Sequence, residues 1–285
     1  NTTGYENTAS GVYALYENTT GYQNTAIGDG ALWKNTTGAN NTAIGDDSLK
    51  VNTTGYENTA IGASSLVANT TGYKNTASGY KSLEANTTGY YNTALGYDSL
   101  QANTTGIQNT ATGAFSLEAN TTGYGNTATG TGSLQLNTTG YYNTATSVAS
   151  LYANTTGYYN TATGYVALYK NTTGDSNTAI GTSALFNNVT GSNNTALGWE
   201  AGNDSTGSGN VFLGYRAGRS ETGSNKLYIS NSNTSTPLIY GDFSTGALAF
   251  GNGGTGAGAI QIGISGNRPI TIGSSSATTV ILGLS

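Results

Sequence analysis

Few residues in this chain of 285 have the chemistry of an active site. Histidine, cysteine and methionine are all absent, which removes the commonest proton shuttle, the thiol nucleophile and the softest metal ligands. The adjacent acids Asp46 and Asp47 are the nearest approach to a carboxylate pair. A glycosidase needs its two carboxyls held apart across a cleft, so these acids read as solvated turn residues. The stretch "GNGGTGAG" at 251–258 has the glycines of a calcium-binding roll but no Asp, and neither metal nor cofactor is expected. No set of nucleophile, base and orienting group can be assembled, and the chain reads as a non-enzyme.

Two further motifs could carry modification or binding. Asn18, Asn52, Asn69 and Asn86 each begin an Asn-Thr-Thr triplet, an acceptor for N-linked sugar. The competing reading is that Asn and Thr build a turn by bonding to nearby backbone. It is favoured because the companion "NTA", which is no acceptor, recurs just as strictly. Tyr22, Tyr56, Tyr73, Tyr90, Tyr141 and Tyr158 fall at one spacing, with Tyr91, Tyr142 and Tyr159 beside them. Such a stripe offers a contact face for sugars or proteins, or else it stacks on itself and stiffens the fold; stacking is the preferred reading.

The element that positions these residues is a repeat. "NTTG" or its variant begins at Asn1 and returns every 17 residues up to Asn188, twelve copies without an insertion. Within the unit Ala9, Ala26, Ala43, Ala60, Ala77 and Ala94 form one column. Leu15, Leu32, Leu49, Leu66, Leu83, Leu100 and Leu117 form another, and both columns continue beyond these members. They are the expected core. No segment has apolar residues at helical spacing, and each "NTTG" interrupts the pattern. "NTAIG" alternates, which turns Thr and Ile to one side of a short strand and Ala to the other. The expected fold is therefore all-β: a parallel β-solenoid, or β-roll, with one coil per 17-residue unit. Stacked coils place like over like, and Asn7, Asn24, Asn41, Asn58, Asn75 and Asn92 are expected to join their amides in a ladder. Two apolar side chains per coil return little against the entropy of ordering seventeen residues. That deficit points to several chains, for which three coils sharing their Leu columns along an axis is one solution.

The unit "NTAIGxxSLxxNTTG" resembles the head repeats of trimeric autotransporter adhesins and similar repeats in bacteriophage tail fibres, over about residues 1–220. The resemblance implies a parallel β-roll assembled as a homotrimer that holds a binding surface away from a cell. The membrane barrel with which autotransporters end is not in this sequence. After Asn194 the spacing shortens to 16 and then 15, and Gly202 and Gly218 take the place of the core Leu. The chain accordingly divides into repeats at 1–204, a transition cap at 205–231 and a strand-rich fibre segment at 232–285. In the last, Ile260, Ile262, Ile264, Ile270 and Ile272 alternate as in the interwound shaft of a trimeric fibre.

A net charge of −5 with nine basic residues does not make a phosphate-binding surface, and nucleic acid is not an expected partner. No apolar run reaches the length of a membrane helix or signal-peptide core. The expectation is a structural and adhesive fibre, extracellular or on a cell surface, or on a virion tail. Its partners would be copies of itself, as a homotrimer or end-to-end filament, and an unidentified cell-surface or matrix receptor met at the variable sixth, twelfth, thirteenth, sixteenth and seventeenth positions. Bacteriophage host recognition is the alternative. Threonine columns also suggest ice binding, but Thr2 and Thr3 would point to opposite faces of an extended segment, so no two-column array is expected from them.

Overall fold

A computed structural model describes residues 2–251. Each repeat contributes one three-residue strand: β1 (Thr8–Ser10), β2 (Thr25–Ile27), β3 (Thr42–Ile44), β4 (Thr59–Ile61), β5 (Thr76–Ser78), β6 (Thr93–Leu95), β7 (Thr110–Thr112), β8 (Thr127–Thr129), β9 (Thr144–Thr146), β10 (Thr161–Thr163), β11 (Thr178–Ile180) and β12 (Thr195–Leu197). They are followed by β13 (Val211–Leu213), β14 (Lys226–Ile229), β15 (Ile239–Asp242) and β16 (Ala247–Phe250), all in one sheet in chain order. From β1 to β14 every pairing is parallel and in register, as in Ala94↔Ala111↔Ala128. No helix occurs among the described residues. The expected all-β, parallel solenoid is the observed fold.

Side-chain direction follows from the pleat. The middle Ala of β2 to β12 is fully buried, while its two neighbours lie outward; Ala9, in the first strand, is exposed. Beyond each strand the chain must reverse, and a glycine near φ +130° does so, as at Gly28 (φ +134°). A Cβ there would lie 2.4 Å from the Gly45 carbonyl oxygen of the next coil. Ser147 occupies the equivalent place at φ +119°, in a region costly to a residue with a side chain.

The Leu column departs from expectation. Leu32 through Leu185 are all 0% exposed within one chain, so they do not form a seam offered to neighbours. Their backbones are left-handed, φ 50–52°, a conformation costing a bulky residue about 1–2 kcal/mol. That turn drives the side chain into the coil, where burial contributes about 2–3 kcal/mol. The core is also broader than Leu and Ala. Ser or Ala before each Leu is buried from Ala31 onward, and two Asn per coil are buried with them. A single coil therefore closes on itself with a mixed polar and apolar interior.

The corners are joined by backbone. In "NTTG" the amides of Thr36, Thr37 and Gly38 all donate to the Thr53 carbonyl of the next coil, at 3.0, 3.1 and 3.4 Å. The Thr36 hydroxyl donates to the same oxygen at 2.9 Å. Three successive N–H groups converging on one oxygen form a nest, here filled by the neighbouring coil.

From β14 the sheet turns antiparallel through β15 and β16. The paired residues Lys226 and Asp242 also join their side chains, Nζ to Oδ2 at 2.7 Å. Residues 1–204 carry the regular coils, 205–231 hold β13 and β14, and β15 and β16 lie in the 232–285 segment. The alternating Ile260, Ile262, Ile264, Ile270 and Ile272 fall outside the described residues.

Candidate functional surface

Two asparagine ladders run through the coil. Asn24 donates from Nδ2 to Asn7 Oδ1 at 3.2 Å, and its backbone N–H reaches the same oxygen at 3.0 Å. This pattern repeats through Asn41, Asn58, Asn75 and Asn92 and ends with Asn210, whose N–H donates to Asn194 Oδ1. The second ladder belongs to the "NTTG" asparagines: Asn35 Nδ2 donates to Asn18 Oδ1 at 2.8 Å. One carbonyl links the two, since Gly38 O accepts from both Asn24 and Asn35 at 2.8 and 3.0 Å. The sequence placed the first ladder and missed the second, reading those residues as turn formers or sugar acceptors.

The acceptor reading is thereby corrected. Asn18 is 2% exposed, and Asn52, Asn69 and Asn86 are wholly buried. Asn52 Nδ2, the atom a glycan would use, donates instead to Asn35 and Gly55. Asn69 and Asn86 do the same one and two coils on.

The tyrosine stripe is brought together as rows. Tyr22 stacks on Tyr5 at 5.0 Å between ring centroids, Tyr73 on Tyr56 and Tyr90 at 4.8 and 4.7 Å, and Tyr141 on Tyr124 and Tyr158 at 5.0 and 4.9 Å. Tyr91, Tyr142 and Tyr159 lie edge-on to this row. Within a row each ring face meets the next ring, leaving mainly edges to solvent. The row is therefore a poor platform for flat stacking on a sugar, and its geometry is that of cross-rung stiffening. Burial pushes the Tyr73 phenol up, with Tyr90 adding to it, and burial raises Tyr124 and Tyr141 too. The Tyr91 side chain raises the Lys74 ammonium, whose Nζ lies 5.4 Å from the centre of that ring.

The variable positions sit on outer corners. Tyr80 and Tyr97 stack at 5.4 Å, and Tyr152, Tyr169 and Phe186 form a further row. Asp47 pairs with Lys50 at 2.9 Å. Asp98 is buried with Oδ1 unpartnered, and burial followed by Glu118 raises its carboxyl. Among the described residues no group of three or more acidic side chains could hold a metal ion, and no helix is long and apolar enough to cross a membrane.

Family models, curated proteins and solved structures gave no match to this chain.

One face was only partly legible in the sequence, where alternation turned Thr and Ile outward without showing that this side carries no charge. The outward positions of β1–β13 hold only Thr, Ser, Ile, Leu and Val, without one charged side chain. Ile27, Ile44 and Ile61 are 42, 36 and 42% exposed there. The available signal was the tenth position of the unit, which exchanges Ile, Leu, Thr and Ser in a slot that faces away from the buried Ala.

Proposed function

We propose that this protein is a structural and adhesive rod, a projecting extracellular or cell-surface element without chemistry of its own. The observation that carries the reading is the unbroken in-register stack from β1 to β14. At about 4.8 Å per coil it presents the same outer positions over roughly 60 Å. Identical sites at fixed spacing convert weak contacts into firm attachment through effective concentration. The variable corners, with the rows of Tyr80 and Tyr97 and of Tyr152, Tyr169 and Phe186, are the surface assigned to a receptor. Assembly as a homotrimer belongs to the same proposal. It now rests on the resemblance to adhesin heads alone, because the Leu column is used within each chain.

A bacteriophage tail fibre is the second reading, favoured by the change from parallel coil to antiparallel strands at β14–β16, which suits a junction between fibre segments. Attachment of chain-coated beads to microbial and animal cells and to matrix tests the first reading, with a form lacking six whole repeats as comparison. Retention under flow should fall steeply when repeats are removed. Equal retention of both forms, or of neither, contradicts multivalent adhesion, and recovery of the chain from purified virions decides for the tail fibre.

A further inference from the structure

We propose that the paired threonines of strands β7 to β10 form an ice-binding face. The sequence suggested an array at Thr2 and Thr3 and found it unsuited; the structure places one elsewhere. Each of these four strands reads Thr-Ala-Thr. With Ala buried, both threonines point outward, giving two parallel columns of four. Thr127, Thr129, Thr144 and Thr146, at the centre, are exposed.

Three independent observations bear on what this face meets. The first is that its hydroxyls are unused. The corner threonines donate to the next coil, as Thr104 does to Thr121 O at 3.1 Å, whereas none of the β7–β10 hydroxyls bonds to protein. Folding does not require them, since Val211 fills the equivalent outward place in β13 and is equally β-branched. Even so, that place is Thr in every strand from β1 to β12.

The second is that these strands pair in register, Thr127↔Thr144↔Thr161 in one column and Thr129↔Thr146↔Thr163 in the other. The threonines therefore form a regular grid, repeating at the coil spacing in one direction and at about 6.6–6.8 Å, two strand residues, in the other.

The third is that no charge interrupts the face. Charged side chains hold water in their own geometry; hydroxyls and methyls on a regular grid hold it in the grid's geometry, each bridging water bonded to its neighbours. The prism surface of hexagonal ice carries oxygen rows with two unequal repeats of similar size, so waters held here can be shared with that lattice. A second copy of this chain fits less well, because closing over the face would strip water from every hydroxyl without supplying a partner to each.

The test is partition of the fluorescently labelled full chain into slowly grown ice, compared with a labelled protein that does not bind ice. The chain should be enriched in the ice. Thr129→Tyr with Thr146→Tyr should reduce enrichment by about tenfold or more. Gln108→Tyr, at an exposed place where other coils already carry Tyr91 and Tyr142, should not. Thr127→Val with Thr144→Val keeps shape and removes hydroxyls, and should also weaken uptake if the bulkier variant fails to fold. Exclusion of the unmodified chain from ice overturns the proposal, as does unchanged uptake by folded variants. A trimer that is excluded from ice assigns the face to partner chains, which overturns ice binding while leaving the rod reading intact.

Discussion

The regular coils and the two that follow Asn194 solve one packing problem in two ways. In β2 to β12 the strand offers a buried Ala and the far turn a buried Leu. In β13 the Ala becomes Phe212, and the Leu positions on either side become Gly202 and Gly218. A Cβ at either glycine would lie 2.4 or 2.2 Å from the Phe212 ring. One aromatic ring thus fills the space vacated by two leucines, and the shortened loops need no bulky left-handed residue. The coil conserves interior volume more strictly than residue identity, as close-packed interiors demand. The ladders differ in the same way. That of Asn7 continues to Asn210, whereas the "NTTG" ladder stops at Asn188, where Ser205 follows and Asn188 Oδ1 is left unpartnered.

The comparison can be broken most forcefully in the regular coils. Leu100→Asp with Leu117→Asp places charges where there is no water, and should lower stability by more than about 5 kcal/mol in thermal unfolding. Changes at neighbouring Gln101 and Glu118 should stay within about 0.5 kcal/mol. Equal tolerance at both pairs would remove the basis of the core assignment. Phe212→Ala leaves two glycine-lined gaps and should cost about 3–5 kcal/mol. The loss should appear as early local exchange in β13 and β14, with the coils before β12 protected. Asn109→Leu deprives Gly123 O of one donor and Asn126 of its acceptor, and should cost about 2–5 kcal/mol. Asn188→Leu, at the ladder's open end, should cost less.

Smaller effects sharpen the contrast. Ser147→Gly relieves the one non-glycine residue in the strand-exit column of β1 to β13 and should stabilise by about 1 kcal/mol, read as a higher midpoint in denaturant. At the other end, the Lys226 hydrogen bond followed by that of Ser244 pulls the Asp242 carboxyl down to about 2 from 3.8. A carboxyl depressed in the folded state contributes stability above its unfolded value and loses it as pH falls through its folded value. The β14–β15 pairing should therefore loosen between about pH 4 and 2, visible in amide exchange of Tyr228 and Tyr240, while the uncharged strand ladder β7–β10 is unaffected.

Much of the fold was legible because a strict period forces equivalence. The 17-residue spacing, the inward Ala and the Asn7 ladder all follow from it. The placement of Leu was not legible, because nothing in "SL" announces a left-handed leucine, and an apolar column alone does not say whether it faces its own coil or another chain. Asn18 and its relatives were read from a local motif, whereas their partners lie one coil away. The face at Thr127 and Thr129 was half visible: alternation put Thr and its second neighbour on one side, but attention to the paired "TT" of the corner hid the Thr-Ala-Thr of the strand. Phe212 was hidden for another reason, since its fit depends on glycines ten residues before and six after it.

The central claim is that coil lies on coil in register within one chain. The cysteine-free sequence permits a direct measurement, mild oxidation of chains carrying two introduced cysteines. Thr129→Cys with Thr146→Cys, partners in register on adjacent strands, lie within disulfide reach and should link inside the monomer at high dilution. Thr129→Cys with Thr163→Cys, two coils apart, should not. Equal linking of both pairs, or products formed only between chains, would contradict the stacked coil.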